Sequence, residues 1–293
     1  MGLVKTDKYS KITIILLFVI MTFFLLFSAE GDSSISKLAA FSMLLILFLA
    51  FISGKYGELN KTIITPIVIA ELAYITIYTI SLFYATTGQF ALLVYSYYLA
   101  GFAAFLLTIL LINKSSLNAR LLLYAVSFSI GISGILSIDA ASARILTPIL
   151  ESLHSYVLGH ESLVLGAYIV GSRMNSIVGN PNVFGGLASL GVLAAAFLFL
   201  SSNSKKDKGI STGLLIVNAV SLLYCFSLGS LISLFFATIC FIVFVGKKLR
   251  ASAIYVVLST IIFAFLSVFV GLFGMSRTGL IAMLPLASLI IMG

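Results

Sequence analysis

Residues 210–246 read ISTGLLIVNAVSLLYCFSLGSLISLFFATICFIVFVG, with Lys205, Lys206 and Lys208 just before them and Lys247, Lys248 and Arg250 just after. No charged side chain interrupts the run. As a single helix it would extend about 55 Å at 1.5 Å per residue, against a hydrocarbon core of about 30 Å. It therefore holds two crossings. Ser227-Leu228-Gly229-Ser230, whose Gly and Ser favour a tight turn, is where it splits. The resulting hairpin, 210–226 and 230–246, returns the chain to its starting side, and both of its ends are basic. Apolar crossings closed by lysines on one side decide the fold.

The rest of the chain extends that pattern. Composition is 61% hydrophobic and only 9% charged, where a soluble domain carries about 25% charged residues to keep its surface wet. Lipid must contact most of the surface. A spanning helix needs about 20 mostly apolar residues, and backbone groups in lipid must be satisfied within the segment. The expected spans are 12–28, 38–53, 63–84, 90–112, 120–138, 183–200, 210–226, 230–246, 252–273 and 278–292. The first of these has a basic start and a cleavage-like end at Phe27-Ser28-Ala29, but its apolar run is long for a signal peptide. The fold class is thus all-α: a polytopic transmembrane helix bundle of about ten spans. Residues 1–138 form a five-helix region, 139–182 an outer loop, and 183–293 a second five-helix region.

Charge position sets the orientation. With the N-terminus inside, the cytoplasmic segments carry thirteen basic residues: Lys5, Lys8, Lys11, Lys55, Lys61, Lys114, Arg120, Lys205, Lys206, Lys208, Lys247, Lys248 and Arg250. The outer segments carry four, Lys37, Arg144, Arg173 and Arg277. The positive-inside rule then places both ends in the cytoplasm. The net charge of +8 is accordingly a topology signal, not the mark of a nucleic-acid partner. Cys225 and Cys240 both fall in apolar segments and suggest neither a metal site nor a disulfide framework.

The outer face holds the chemistry. Within 139–182, Ile145, Ile149, Leu150, Leu153 and Val157 recur at helical spacing, which reads as an amphipathic interfacial helix or a loop packed over the bundle. Arg144, Arg173 and Arg277 escape the topology rule, and Arg makes bidentate phosphate contacts that Lys does not. An anionic ligand fits them; lipid headgroups or the carboxylates Asp139, Glu151 and Glu161 are the other partners open to them. Asn180 is a good N-cap and Pro181 suits the first helical position, so a helix begins there with its free N–H groups facing outward. Ser276-Arg277-Thr278-Gly279 repeats the arrangement at the last span. If the two helix starts converge, they make a pyrophosphate cradle.

The run Arg173…Gly179-Asn180-Pro181-Asn182-Val183-Phe184-Gly185, followed by an apolar helix, a basic cytoplasmic loop and a hairpin, resembles the O-antigen ligase/polymerase family. In that family an Arg and a Gly-Asn-Pro-Asn-like segment open the conserved region, and the match covers about 170–293. The resemblance implies a glycosyltransferase that uses no metal or other cofactor. It would join or polymerise a polyprenyl-pyrophosphate-linked glycan onto a glycan or lipid acceptor at the outer face. Arg173 then contacts the pyrophosphate, with Asn180, Asn182, Arg277 and Arg144 as further substrate-binding candidates. Two departures stand out. The family's Ser-Arg-Gly-like turn reads Ser227-Leu228-Gly229-Ser230 here, and the family's His-bearing outer loop, which follows these helices, is not in this sequence. A truncated chain or a diverged relative is expected. His154 and His160 are the imidazoles this chain offers as a general base.

Two features point elsewhere. Glu71 lies near the middle of an expected span, where a carboxylate is costly and suggests proton or ion coupling. That supports a transporter or flippase, unless a protonated Glu71 bonds Tyr74 or Tyr78. Glu30-Gly31-Asp32 resembles the acidic pair of glycosyltransferases using lipid-phosphate sugars. A structural membrane subunit without a site of its own is the third class.

Overall fold

The computed structural model describes residues 8–27, 41–46, 65–141, 145–158, 169–170, 173–176 and 180–274. Its helices are α1 (Lys8–Phe27), α2 (Pro66–Ser81), α3 (Gly88–Lys114), α4 (Ser116–Ala141), α5 (Thr147–Leu158), α6 (Pro181–Ser201), α7 (Lys205–Tyr224), α8 (Leu228–Phe244) and α9 (Arg250–Gly274). Residues 41–46 are also helical. One antiparallel pair, β1 (Ile169–Val170) with β2 (Arg173–Met174), is the only strand structure among the described residues. Five stretches are long and apolar enough to cross a membrane: Lys8–Leu26, Val94–Lys114, Ser116–Ala140, Pro181–Ser201 and Lys247–Leu266. Helices α2 and α8 are apolar but shorter. Most of the expected span 38–53, all of 278–292, Glu30, Asp32, Arg144, His160 and Arg277 lie outside the described residues.

The chain divides into two compact units. In the first (Met1–Phe24 and Gly31–Ala125), Ile14 and Leu17 of α1 pack with Leu107 and Leu111 of α3 and Leu122 at the start of α4. In the same unit, Tyr74 and Tyr78 of α2 meet Tyr98 of α3. Tyr74 Oη donates to Tyr78 Oη (3.3 Å) and Tyr78 Oη to Tyr98 Oη (3.0 Å).

The second unit (Leu25–Glu30 and Val126–Gly293) is built around α7, which packs on α6 and α9. Short connections turn the chain back between α6, α7, α8 and α9, and α8 packs on α6 and α9. Helices α6 and α8 therefore start at one end of this unit, while Lys205, Lys206, Lys208, Lys247, Lys248 and Arg250 gather at the other. Small residues allow the close approach. A Cβ at Gly191 of α6 would lie 2.6 Å from Asn218 Oδ1 of α7, and Asn218 Nδ2 donates to Ser127 O of α4 at 3.3 Å.

The hairpin break falls slightly earlier than its Gly and Ser suggest. Helix α7 ends at Tyr224, and Phe226 takes the left-handed turn (φ 46°). Ser227 then caps α8, leaving Gly229 inside its first turn. The serine acts as a cap rather than as part of the turn, because its hydroxyl reaches the free Ser230 N–H at 3.2 Å.

Candidate functional site

Asn180-Pro181-Asn182 forms the helix start expected of it. Asn180 Oδ1 accepts from Asn182 N (2.9 Å) and Val183 N (3.4 Å), and Pro181 occupies the first turn, where a missing N–H costs nothing. What the structure places beside this terminus is the start of α8. Ser227 Oγ donates to Asn182 Oδ1 at 2.9 Å, and Ser230 Oγ donates to the Asn182 carbonyl at 3.0 Å. The two hydroxyls stand 2.8 Å apart. One turn deeper, Ser189 Oγ donates to Gly185 O at 2.9 Å and also reaches Ser230 O at 3.3 Å.

Gly185 is the residue that permits the junction. A Cβ there would sit 2.6 Å from Ser230 Oγ and 3.0 Å from Ser230 Cβ. Ser227 and Ser230 are buried, whereas Asn180 and Asn182 are exposed, so the pair of helix starts presents asparagines outward over a serine floor. The α6 start does not offer the free N–H groups its sequence suggests, because Pro181 has none and those of Asn182 and Val183 are taken by Asn180 Oδ1. Each terminus still contributes roughly half a positive charge. Such an arrangement can hold an anion without a metal. Among the described residues no group of three His, Cys, Asp or Glu stands close enough to bind one.

Arg173 opens the segment that leads here. Its backbone pairs with Val170, and Met174, Asn175 and Ser176 behind it are buried. Ser176 adopts a left-handed conformation (φ 54°) and its hydroxyl bonds Ser133 Oγ of α4. Asn175 Oδ1 is buried with no hydrogen-bond partner among the described residues. The Arg173 backbone is thus anchored in the second unit by the three residues that follow it.

No protein-family model, curated protein or solved structure matches this chain. The residues themselves carry the functional reading.

Other expected participants fall differently. The partner brought to the Asn180 helix start is α8, while Arg277 and the last expected span lie outside the described residues. Arg144 and His160 lie outside them too, and His154 is placed on α5 by its backbone alone. Asp139 is committed elsewhere. Its carboxylate accepts from Ile145 N, Leu146 N, Thr147 N and Thr147 Oγ1 at 2.8–2.9 Å, capping α5 from the end of α4. Glu71 is half-buried on α2 and bonds neither Tyr74 nor Tyr78, whose hydroxyls run to each other and to Tyr98.

Sequence reasoning missed Ser227, Ser230 and Gly185 as one cluster. A signal is present for one of them: a serine at the head of an apolar run, as Ser227 is, is an N-cap signal. Nothing in the sequence shows which helix start it would face.

Proposed function

We propose that this chain is a cell-membrane protein of about ten spans with both ends in the cytoplasm. On this reading it is a glycosyltransferase of the O-antigen ligase/polymerase type. It would join or polymerise a polyprenyl-pyrophosphate-linked glycan onto a glycan or lipid acceptor at the outer face. The observation that carries the proposal is the pairing of the α6 and α8 starts through Asn182, Ser227 and Ser230, directly after the anchored Arg173 segment. Paired helix N-termini favour a pyrophosphate, whose charge grows as it departs.

The acceptor hydroxyl attacks the anomeric carbon and the bond from that carbon to the pyrophosphate oxygen breaks. The leaving group keeps the electron pair, and the acceptor proton passes to a base. Arg173 holds the departing phosphates, with Asn180 and Asn182 at the helix ends; Arg144 and Arg277 are further candidates. His154 and His160 are this chain's candidates for the base.

Arg173→Lys tests the site. The charge stays but the bidentate contact goes, so glycan transfer in membranes should fall about a hundred-fold at unchanged protein level. Undiminished transfer would reject the role.

One observation favours a second reading. Glu71 has no hydrogen-bond or ion-pair partner among the described residues, as a coupling carboxylate in a transporter or flippase would. That reading expects a pH- or ion-dependent flux abolished by Glu71→Gln and indifferent to Arg173→Lys.

A further inference from the structure

A cavity of about 410 Å³ lies in the second unit, walled by α6, α7, α8 and α9. On α8 it runs from Leu231 through Phe235 and Thr238 to Ile242, about 16 Å of helix. A slot of that volume is too small for a helix about 10–12 Å across over the same length, and its lining is apolar except for Thr238, which suits a hydrocarbon chain. On α9 the wall is Ile254, Leu258 and Ile261. Leu258 and Phe235 are 54% and 62% exposed, so the slot opens on the outer surface of the unit, not into its core.

The slot's Ile242–Ile254 end carries positive charge. The connection between α8 and α9 is Lys247-Lys248-Leu249, followed by Arg250, and both lysines are exposed. Arg250 stands one turn before Ile254, at the spacing that puts it on the slot-lining stripe of α9. Its Nη2 donates to Val243 O at 3.0 Å, while its Nε is shielded from solvent with no hydrogen-bond partner among the described residues.

We propose that this slot and its basic end bind an anionic phospholipid. One acyl chain lies along α8 and α9 and the phosphate rests on Lys247, Lys248 and Arg250. A purely apolar groove would accept any lipid; the three cations select a negative headgroup. The slot's basic end lies opposite the Asn182–Ser227 junction, which adjoins its Leu231 end. Its placement in the cytoplasmic leaflet follows from the orientation proposed above, but the binding does not depend on the glycosyltransferase reading.

The test is lipid retention by the purified full chain in native mass spectrometry. Phosphatidylglycerol, phosphatidylcholine and lyso-phosphatidylglycerol are offered at equal concentration. Phosphatidylglycerol should be retained at least ten-fold better than phosphatidylcholine, and the single-chain lyso form as well as the two-chain form. Replacing Lys247, Lys248 and Arg250 by Gln should weaken retention about five-fold per charge. Ile239→Trp, at a position 44% exposed and lining the slot, should weaken retention with every charge in place. Equal retention of the two diacyl lipids overturns the proposal. So does a charge effect without an Ile239→Trp effect, which would mean surface attraction alone. An unchanged thermal melt of each variant keeps these outcomes separate from misfolding.

Discussion

Gly185 decides whether two helix starts can meet. With no side chain it lets Ser230 approach closely enough to bond Asn182. Gly185→Val would drive a branched carbon into the Ser230 hydroxyl, an overpacking of about 1–3 kcal/mol. The expected result is a lowered melting temperature together with lost glycan transfer. Ser227→Ala is the milder probe. It removes the α8 cap and the contact to Asn182 Oδ1, at a cost of about 1 kcal/mol. Transfer should fall while the fold survives. Should Ser227→Ala melt earlier yet transfer normally, the junction holds the fold together without serving a site. The role of Asn180 is legible in the sequence, because a cap followed by Pro and an apolar run is a local signal. That of Gly185 is not, because its importance lies in Ser230, 45 positions away.

At the scale of elements, the apolar runs announce themselves. Expected spans at 90–112, 183–200 and 252–273 sit inside α3, α6 and α9. Boundaries shift where polar residues join a helix: α7 starts at Lys205, since its basic first turn can extend beyond the apolar stretch. A helix also forms within 139–182, as α5, but its phase differs from the sequence pattern. Leu150 turns inward beside Thr147, leaving Ile149, Leu153 and Tyr156 exposed along one stripe. The reason is Asp139, which fixes where α5 begins. A carboxylate six residues before a backbone N–H gives no periodic signal, so periodicity alone does not reveal this clamp. Asp139→Asn leaves one acceptor oxygen where two served four donors. Charged hydrogen bonds of this kind contribute about 1.5–3 kcal/mol each. Amide exchange at Ile145, Leu146 and Thr147 should therefore quicken at least ten-fold, with the amides of α6 and α7 unchanged. Exchange that stays slow at all three would mean that burial, not Asp139, holds the start of α5.

For the molecule as a whole, the governing quantity is where cations fall relative to the apolar helices. In the second unit Lys205, Lys206, Lys208, Lys247, Lys248 and Arg250 share one end, and the paired starts of α6 and α8 occupy the other. Charged groups resist transfer through the bilayer, and lysines near short loops stay on the cytoplasmic side. The glycan site is tenable only if the opposite end faces outward, because a lipid-linked glycan at the outer face cannot reach a cytoplasmic junction. This separates the topology from the chemistry and lets it be checked first. In a chain with Cys225 and Cys240 replaced by Ala, Ser155→Cys on α5 and Ser204→Cys before α7 place single thiols at two exposed positions. An impermeant maleimide applied to intact cells should label position 155 and spare position 204 until the membrane is opened. Labelling at 204 in intact cells, with 155 protected, would invert the molecule. The proposed donor site would then fall with the orientation, while the anionic-lipid slot would only change leaflet.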